Sequence, residues 1–295
     1  MAAPRTQPTV RSAVANATRR LRARHCQSPR LDAEILLAEA LRVTREKLYA
    51  EPERELTAAE QATYKSMVDR RAHREPVAYI VGRKQFRGIE LRLDETTLIP
   101  RPETETLVEV ALEKLAACGK RRPLLLDLGT GSGAIALAVA AEHPTVEVVA
   151  SEVHPAPLET ARLNAARLGL AGRVKFVVSD LFAGLPAGVR FDVIVSNPPY
   201  VSNDALRRVA VEIRGFEPHV ALKGGKDGLD FYRRIVPEAT TYLEPGGHIA
   251  VEIPDTKFVE VMQLFIAAGR YDGIDLRHDL GGLPRVIVAR EKPAV

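Results

Sequence analysis

The sequence predicts an α/β protein in two parts: a small helical front, then a larger domain built on a mostly parallel sheet covered on both faces. Three observations support this. At 295 residues the chain exceeds the usual size of one domain. Its first part shows apolar residues at helical spacing. After Pro123, short apolar runs alternate with helical stretches, the pattern of strand–helix–strand units.

Taken in order, residues 9–26 carry Val10, Val14, Ala17 and Leu21 on one helical face. Arg5, Arg11, Arg19, Arg20, Arg22 and Arg24 all precede the first acid, Asp32, as in a transit peptide, but the periodicity favours a helix with a solvated basic face. Residues 28–43 form a second helix, with Ser28 placed to cap it, Pro29 at its first position and Leu31, Ile35, Leu36 and Leu41 as its apolar face. Thr57 and Glu60 make a capping-box pattern ahead of Tyr64, Met67 and Val68. Residues 86–99 change period around Gly88 and Asp94, which predicts a short hairpin or extended connector. Pro102, Glu103 and Glu105 then start a helix bearing Leu107, Val108, Ala111, Leu112 and Leu115. The domains expected are 1–85, a linker at 86–100, and 101–295.

Within the last of these, strands are expected at Leu124–Leu128, Val146–Ala150, Val174–Val178, Phe191–Ser196 and His248–Ile253, with closing strands near 273–278 and 285–290. Helices are expected at Ala134–Ala141, Pro155–Leu168, 228–242 and 256–268.

Composition excludes several classes. No run of about 18 apolar residues exists, so a membrane-spanning helix is excluded. Cys26 and Cys118 are too few for a disulfide framework and lack the paired spacing of a zinc site. With no apolar signal segment, a cytoplasmic location is expected. Residues 1–100 carry 19 Lys and Arg against 13 Asp and Glu, whereas residues 101–295 carry 23 against 25. The front is therefore the basic part, suited to docking an acidic protein or RNA if it is more than a solvated surface.

The segment Asp127-Leu128-Gly129-Thr130-Gly131-Ser132-Gly133 lies where a strand ends and a helix begins. Glycines there let the backbone turn sharply and let a ligand approach closely. With Ala134 the segment also fits the dinucleotide pattern, so the glycines alone leave the nucleotide open. Asp127 decides, because a carboxylate repels a pyrophosphate but accepts hydrogen bonds from the ammonium of a methionine moiety. The expected cofactor is S-adenosyl-L-methionine, bound without a metal. Glu152 ends the next strand, where it can accept from ribose hydroxyls, and Asp180 closes the third, where it can meet the adenine amino group between Leu181 and Phe182 as apolar walls. Any one of these acids read singly is an ordinary cap or surface carboxylate; their shared place at strand C-termini makes them a site.

Asn197-Pro198-Pro199-Tyr200 directly follows the strand Phe191–Ser196. The Asn197 oxygen and the Pro198 carbonyl can each accept an N–H of a planar amino or amide group, and Tyr200 offers that group a flat face. Pro198 and Pro199 stiffen the loop and lower the entropy lost in fixing this geometry. The chemistry implied is methyl transfer to a planar nitrogen.

With these residues in place, the sequence resembles the release-factor glutamine N5-methyltransferases, the HemK-type family. Also matching are Leu98-Ile99-Pro100-Arg101-Pro102-Glu103-Thr104-Glu105, Phe216-Glu217-Pro218, Gly224 to Gly228 with Leu229-Asp230-Phe231-Tyr232, and Asp279, Gly282 and Arg285. The resemblance implies a seven-stranded Rossmann-like class I methyltransferase domain behind a five-helix N-terminal domain that docks a peptide chain release factor. It implies a target glutamine in a Gly-Gly-Gln loop. Two positions depart from the family pattern: Leu181 stands where an aromatic is common, and Pro254-Asp255 replaces a glycine-containing turn. The rival reading is amino methylation of adenine or guanine in nucleic acid. That substrate must be extruded or single-stranded and calls for a recognition domain or basic channel, so no stable nucleic-acid partner is expected. A module that binds without turnover is the other rival, and the intact Asp127, Gly129, Gly131, Glu152 and Asn197 argue against it.

Overall fold

The computed structural model describes residues 7–293; Arg5 of the basic run lies outside them. The chain divides into two compact units, one running through Gly82 and joined by Ala210–Phe216, the other comprising Arg83–Val209 and the chain from Glu217.

In the first unit, α1 (Val10–Ala23), α2 (Pro29–Leu41), α3 (Arg45–Ala50), α4 (Ala58–Ala72) and α5 (Val77–Val81) surround a core in which Leu21, Leu36, Leu37 and Leu56 are wholly buried. Thr9 caps α1 by accepting from the Ser12 amide, and Thr57 and Glu60 form the reciprocal capping box of α4. Ser28 does not cap α2 with its side chain; its carbonyl takes the Asp32 amide at 2.8 Å instead, because its backbone turns away from the extended cap conformation. The short helices α3 and α5 complete the five helices that the resemblance implies, although the residue pattern alone did not mark them. Each buries a single residue, Leu48 or Ile80, too little to show a period.

A buried ion cluster ties this unit together. Arg71 donates to Asp32 at 2.7 Å and to Glu212, in the short helix Val211–Phe216, at 3.2 Å. Burial raises the Asp32 pKa, and the hydrogen bond and charge of Arg71 act against that rise.

The second unit opens with a hairpin of β1 (Arg83–Phe86) and β2 (Ile89–Arg92). Arg87 and Gly88 both have positive φ, the two-residue turn whose twist suits paired strands. Pro102–Thr104 is a tight 3-10 turn rather than the first turn of an α-helix, and α6 (Glu105–Ala117) follows it. Then come β3 (Leu124–Leu128), α7 (Ala134–Glu142), β4 (Glu147–Glu152), α8 (Pro155–Arg167), β5 (Val174–Val178) and β6 (Phe191–Ser196). After α9 (Val211–Phe216), which belongs to the first unit, the chain completes the second with α10 (Asp230–Tyr242), β7 (Leu243–Glu252), α11 (Phe258–Ala268), β8 (Tyr271–His278) and β9 (Pro284–Glu291).

The seven-stranded sheet has the order β5-β4-β3-β6-β7-β9-β8. Its first five strands are parallel, and β9 runs antiparallel to both neighbours. All six residues of β6 are buried, as expected of a central strand covered on both faces. β7 begins five residues earlier than its apolar run, at Leu243 rather than His248, and passes through Pro245-Gly246-Gly247. Gly247 is required there, since a Cβ would lie 3.1 Å from the Phe191 and Asp192 carbonyl oxygens of β6. Among the described residues, no helix is long and apolar enough to cross a membrane.

The ion cluster makes a prediction. Arg71→Ala would leave Asp32 buried without its cation, so the intact chain should lose about 3–5 kcal/mol of stability, read as a lowered urea midpoint by circular dichroism. Arg74→Ala, at the more exposed edge of the cluster, should cost clearly less.

Candidate active site

The loop between β3 and α7 is shaped by three left-handed glycines with different duties: Gly129 (φ +73°), Gly131 (φ +55°) and Gly133 (φ +84°). A Cβ on Gly129 or Gly131 would meet nothing within 4 Å, so these two keep an open face for a ligand. A Cβ on Gly133 would strike Leu137 at 2.9 Å and Ala161 at 3.2 Å, so that glycine serves packing. Asp127 lies wholly buried beneath the loop. Its Oδ2 accepts from the Thr130 hydroxyl at 2.6 Å and the Ala136 amide at 3.1 Å, while Oδ1 has no partner. Burial lifts its pKa to about 6.

Beside the loop is a cavity of about 380 Å³. Gly129, Gly131, Glu152, Asp180 and Leu181 line it, as do Asn197, Pro198 and Pro199. Glu152 is pre-set by two backbone donors, the Gly131 amide at 3.2 Å and the His154 amide at 3.1 Å. Asp180 is half exposed and pairs with Arg234 at 2.8 Å. Leu181 reaches the wall from a left-handed backbone, φ +51°. Thr96, Leu98, Val153, His154, Val220, Lys223 and Phe231 complete much of the lining, and most of these carried no sequence signal as site residues because distant segments bring them in.

Other residues expected at the site stand behind it. Phe182 is not an adenine wall: it is wholly buried in the core and stacks on Tyr242 with ring centroids 4.8 Å apart. The left-handed turn at Leu181 sends the two neighbouring side chains different ways. Asp127, Thr130, Ser132 and Gly133 do not border the cavity either; they hold the loop, with the Ser132 carbonyl accepting from Asn164 at 3.0 Å. Tyr200 is outside the lining and packs on the core, and burial pushes its phenol pKa up.

Asn197 leaves the C-terminal end of β6. Its Nδ2 donates to the Thr104 hydroxyl at 3.2 Å, which leaves Oδ1 as an acceptor. The pairing of Ser196 with Val251 sets Asn197 abreast of Glu252 on β7. Glu252 is buried, and its Oε2 has no partner. Burial raises its pKa to about 7, against hydrogen bonds from Thr104 and Asn197 and the charge of Arg285.

The remaining motif segments hold this loop in place. The Val201 amide donates to Leu222 O at 2.8 Å, and the Gly224 amide to Val201 O at 2.9 Å. A Cβ on Gly224 would sit 2.7 Å from Pro199 O, and one on Gly228 2.4 Å from Tyr200 O, so only glycine lets these backbones touch. Buried Glu217 accepts from the Ile99 amide and the Arg101 guanidinium. Asp279 takes Arg285 at 2.8 Å and the Gly281 and Leu283 amides at 2.8 and 3.0 Å, shaping the hairpin between β8 and β9.

Comparison with known proteins agrees with this architecture. Residues 12–82 match the family described as "PrmC N-terminal domain", and residues 104–213 match "Methyltransferase small domain". The chain is 41% identical to a release factor glutamine methyltransferase of Koribacter versatilis, across 96% of this chain and 99% of that one. It is 40% identical to one of Bradyrhizobium diazoefficiens, across 98% and 97%. A methyltransferase crystal structure from Pyrococcus furiosus is similar in fold, with a TM-score of 0.50 and 23% identity over 70% of this chain and 90% of that one. With this identity sustained from end to end, on the same two-part architecture and with the motif segments all built around one loop, the chain belongs to the release factor glutamine methyltransferase family.

Proposed function

We propose that this protein transfers a methyl group from S-adenosyl-L-methionine to the side-chain amide nitrogen of the glutamine in the Gly-Gly-Gln motif of a peptide chain release factor. One observation carries the reading: Asn197 has its NH2 tied to Thr104, and so offers its Oδ1 beside Pro198 at the wall of a cavity shaped by the glycine loop.

The chain's residues fit the cofactor. The cavity lies within the ~300–1,000 Å³ typical of small-molecule sites. Gly129 and Gly131 present bare backbone to it, and Glu152 keeps free lone pairs for ribose hydroxyls after accepting its two amides. Asp180 and Leu181 would meet the adenine, without Phe182. Asp127 Oδ1, buried and unpartnered, is a place for a donor beneath the loop. When bound, S-adenosyl-L-methionine supplies an electrophilic methyl group on a sulfonium sulfur.

The rest falls to the protein. The nitrogen lone pair of an amide is delocalised into its carbonyl, and the group is far too weak an acid for a carboxylate or histidine to deprotonate first. Asn197 Oδ1 and the Pro198 carbonyl would accept its two N–H groups, fix its direction and stabilise the positive charge that grows on it. After transfer the methylated nitrogen, now cationic, loses one of its protons to solvent. Pro199 stiffens the loop at the cavity wall, and Tyr200 supports it from behind. In this reading residues 1–85, the basic part of the chain, dock the protein substrate and residues 101–295 carry out the transfer, in the cytoplasm.

Two predictions test it. Gly131→Val and Glu152→Ala should each weaken S-adenosyl-L-methionine binding in calorimetry while the chain stays folded; unchanged affinity in both would overturn the cofactor assignment. Asn197→Ala should leave that binding largely intact and slow glutamine methylation by ~10²-fold, followed by mass spectrometry of the Gly-Gly-Gln peptide.

A further inference from the structure

Asn197 is useful only one way round. With Oδ1 toward the substrate it accepts an amide N–H; rotated by half a turn, it would present its own NH2 and repel the substrate. Something must fix the choice. Thr104 alone does not, because a hydroxyl both donates and accepts and so can pair with either end of the Asn197 amide.

Next to both lies Glu252, 2% exposed, on the strand that pairs with β6. The Thr104 and Asn197 side chains stand close enough to its carboxyl to lower its pKa as donors. Tyr232 donates at 2.7 Å to the Glu252 main-chain oxygen rather than to the carboxyl, and Oε2 is unpartnered. A buried carboxyl group with an unpartnered oxygen, set against two residues at the reaction centre, does little for the fold, since burial is costly unless the group is well paired. Resting on the function proposed above, we propose that Glu252 is a positioning residue, the acceptor-only end of a hydrogen-bond chain from Asn197 through Thr104 that holds the Asn197 oxygen toward the substrate nitrogen.

The role depends on charge. As a carboxylate Glu252 can only accept, so Thr104 must donate to it and therefore accept from Asn197 Nδ2, the polarity observed. Once protonated, Glu252 can donate to Thr104, which is then free to turn its own proton toward Asn197 Oδ1, and the orientation is lost. The groups facing Glu252 are Arg285 from β9, held by Asp279; Glu103 from the 3-10 turn before α6; Tyr200; and Tyr232 from α10. Arg285 favours the carboxylate, Glu103 opposes it, and burial outweighs both, placing the change at about pH 7. The sign follows: the ordered form exists above that pH and is lost below it.

The test uses the full-length protein with release factor and S-adenosyl-L-methionine. Wild-type kcat should fall towards tenfold per pH unit below about 7, with little change in KM for S-adenosyl-L-methionine. Glu252→Gln should lose this pH dependence and run about ten- to a hundredfold slower at pH 8. Thr104→Val should be similarly slow, and Thr104→Ser, which keeps the hydroxyl, should recover most of the rate. In parallel, the Asn197 side-chain NH2 resonances, identified by their loss in Asn197→Ala, should shift with an apparent pKa near 7 in the wild type and stay still in Glu252→Gln. A flat wild-type profile, a Glu252→Gln enzyme with the wild-type rate and profile, or a fully active Thr104→Val would overturn the proposal. If Glu252→Gln fails to fold, the Thr104 pair and the wild-type titrations still decide. Absence of any glutamine methylation by the wild type would sink the proposed function instead, and the NH2 titration would still decide the role of Glu252.

Discussion

The adjacency of β3 and β6 is the constraint on which the site depends. From β3 the chain moves to one side through β4 and β5, then returns to place β6 on the other side of β3. Loops leaving the two neighbouring strands must therefore diverge, and a crevice opens at their C-terminal ends. The register matches Leu128 with Ser196, and the Ser196 hydroxyl donates to the Leu128 carbonyl at 2.9 Å, so the last residues of both strands are fixed at one level. The next residues are Gly129 and Asn197. The glycine loop and the Asn197–Tyr200 loop thus face one crevice because two short, almost wholly buried strands pair in one register, and a slip of one residue would turn every side chain of β6 to the other face.

The two strands were legible in the residues themselves; their register and what supports it were not. Leu124–Leu128 and Phe191–Ser196 stand out as compact apolar runs, and the motifs after them announce themselves by composition. Asp127 could be placed beneath its loop by local contacts, since Thr130 and Ala136 are three and nine residues away. Thr104 meets Asn197 across 93 residues and Glu217 meets Ile99 across 118, and no local pattern encodes either contact. Phe182 shows the same limit from the other side: an aromatic next to Leu181 reads as a wall, and only the positive φ of Leu181 and the stacking on Tyr242 assign it to the core. The early start of β7 escaped because Pro245-Gly246-Gly247 has the composition of a turn, while close approach to β6 is what demands Gly247.

The glycines near the site divide along the same line. Gly129 and Gly131 leave open space beside the cavity. Gly133, Gly224 and Gly228 fill space with backbone, and their reason is packing. Sequence spacing cannot tell these apart, because each only records the lack of a side chain. The distinction matters for function: the second group holds the Asn197–Tyr200 loop from outside, whereas the first group borders the cavity.

Stiffness in that loop suits the chemistry proposed for it. A planar amide nitrogen is a poor nucleophile, and with no base available the protein can lower the barrier only through position and fixed dipoles. Each degree of freedom left in the loop would have to be frozen when substrate arrives, at a cost of roughly 1–2 kcal/mol per residue of backbone. Pro198 and Pro199 remove part of that freedom within the loop. The contacts of Gly224 and Gly228 with Pro199 and Tyr200, together with the hydrogen bonds joining Val201 to Leu222 and Gly224, remove more from outside. Buried acids complete the frame: Glu217 fixes the segment at Ile99 and Arg101, and Asp279 fixes Arg285 near Glu252. The motif segments scattered along the second unit are therefore parts of one device, and their separation in sequence reflects how many distant pieces of chain are needed to keep a single asparagine still.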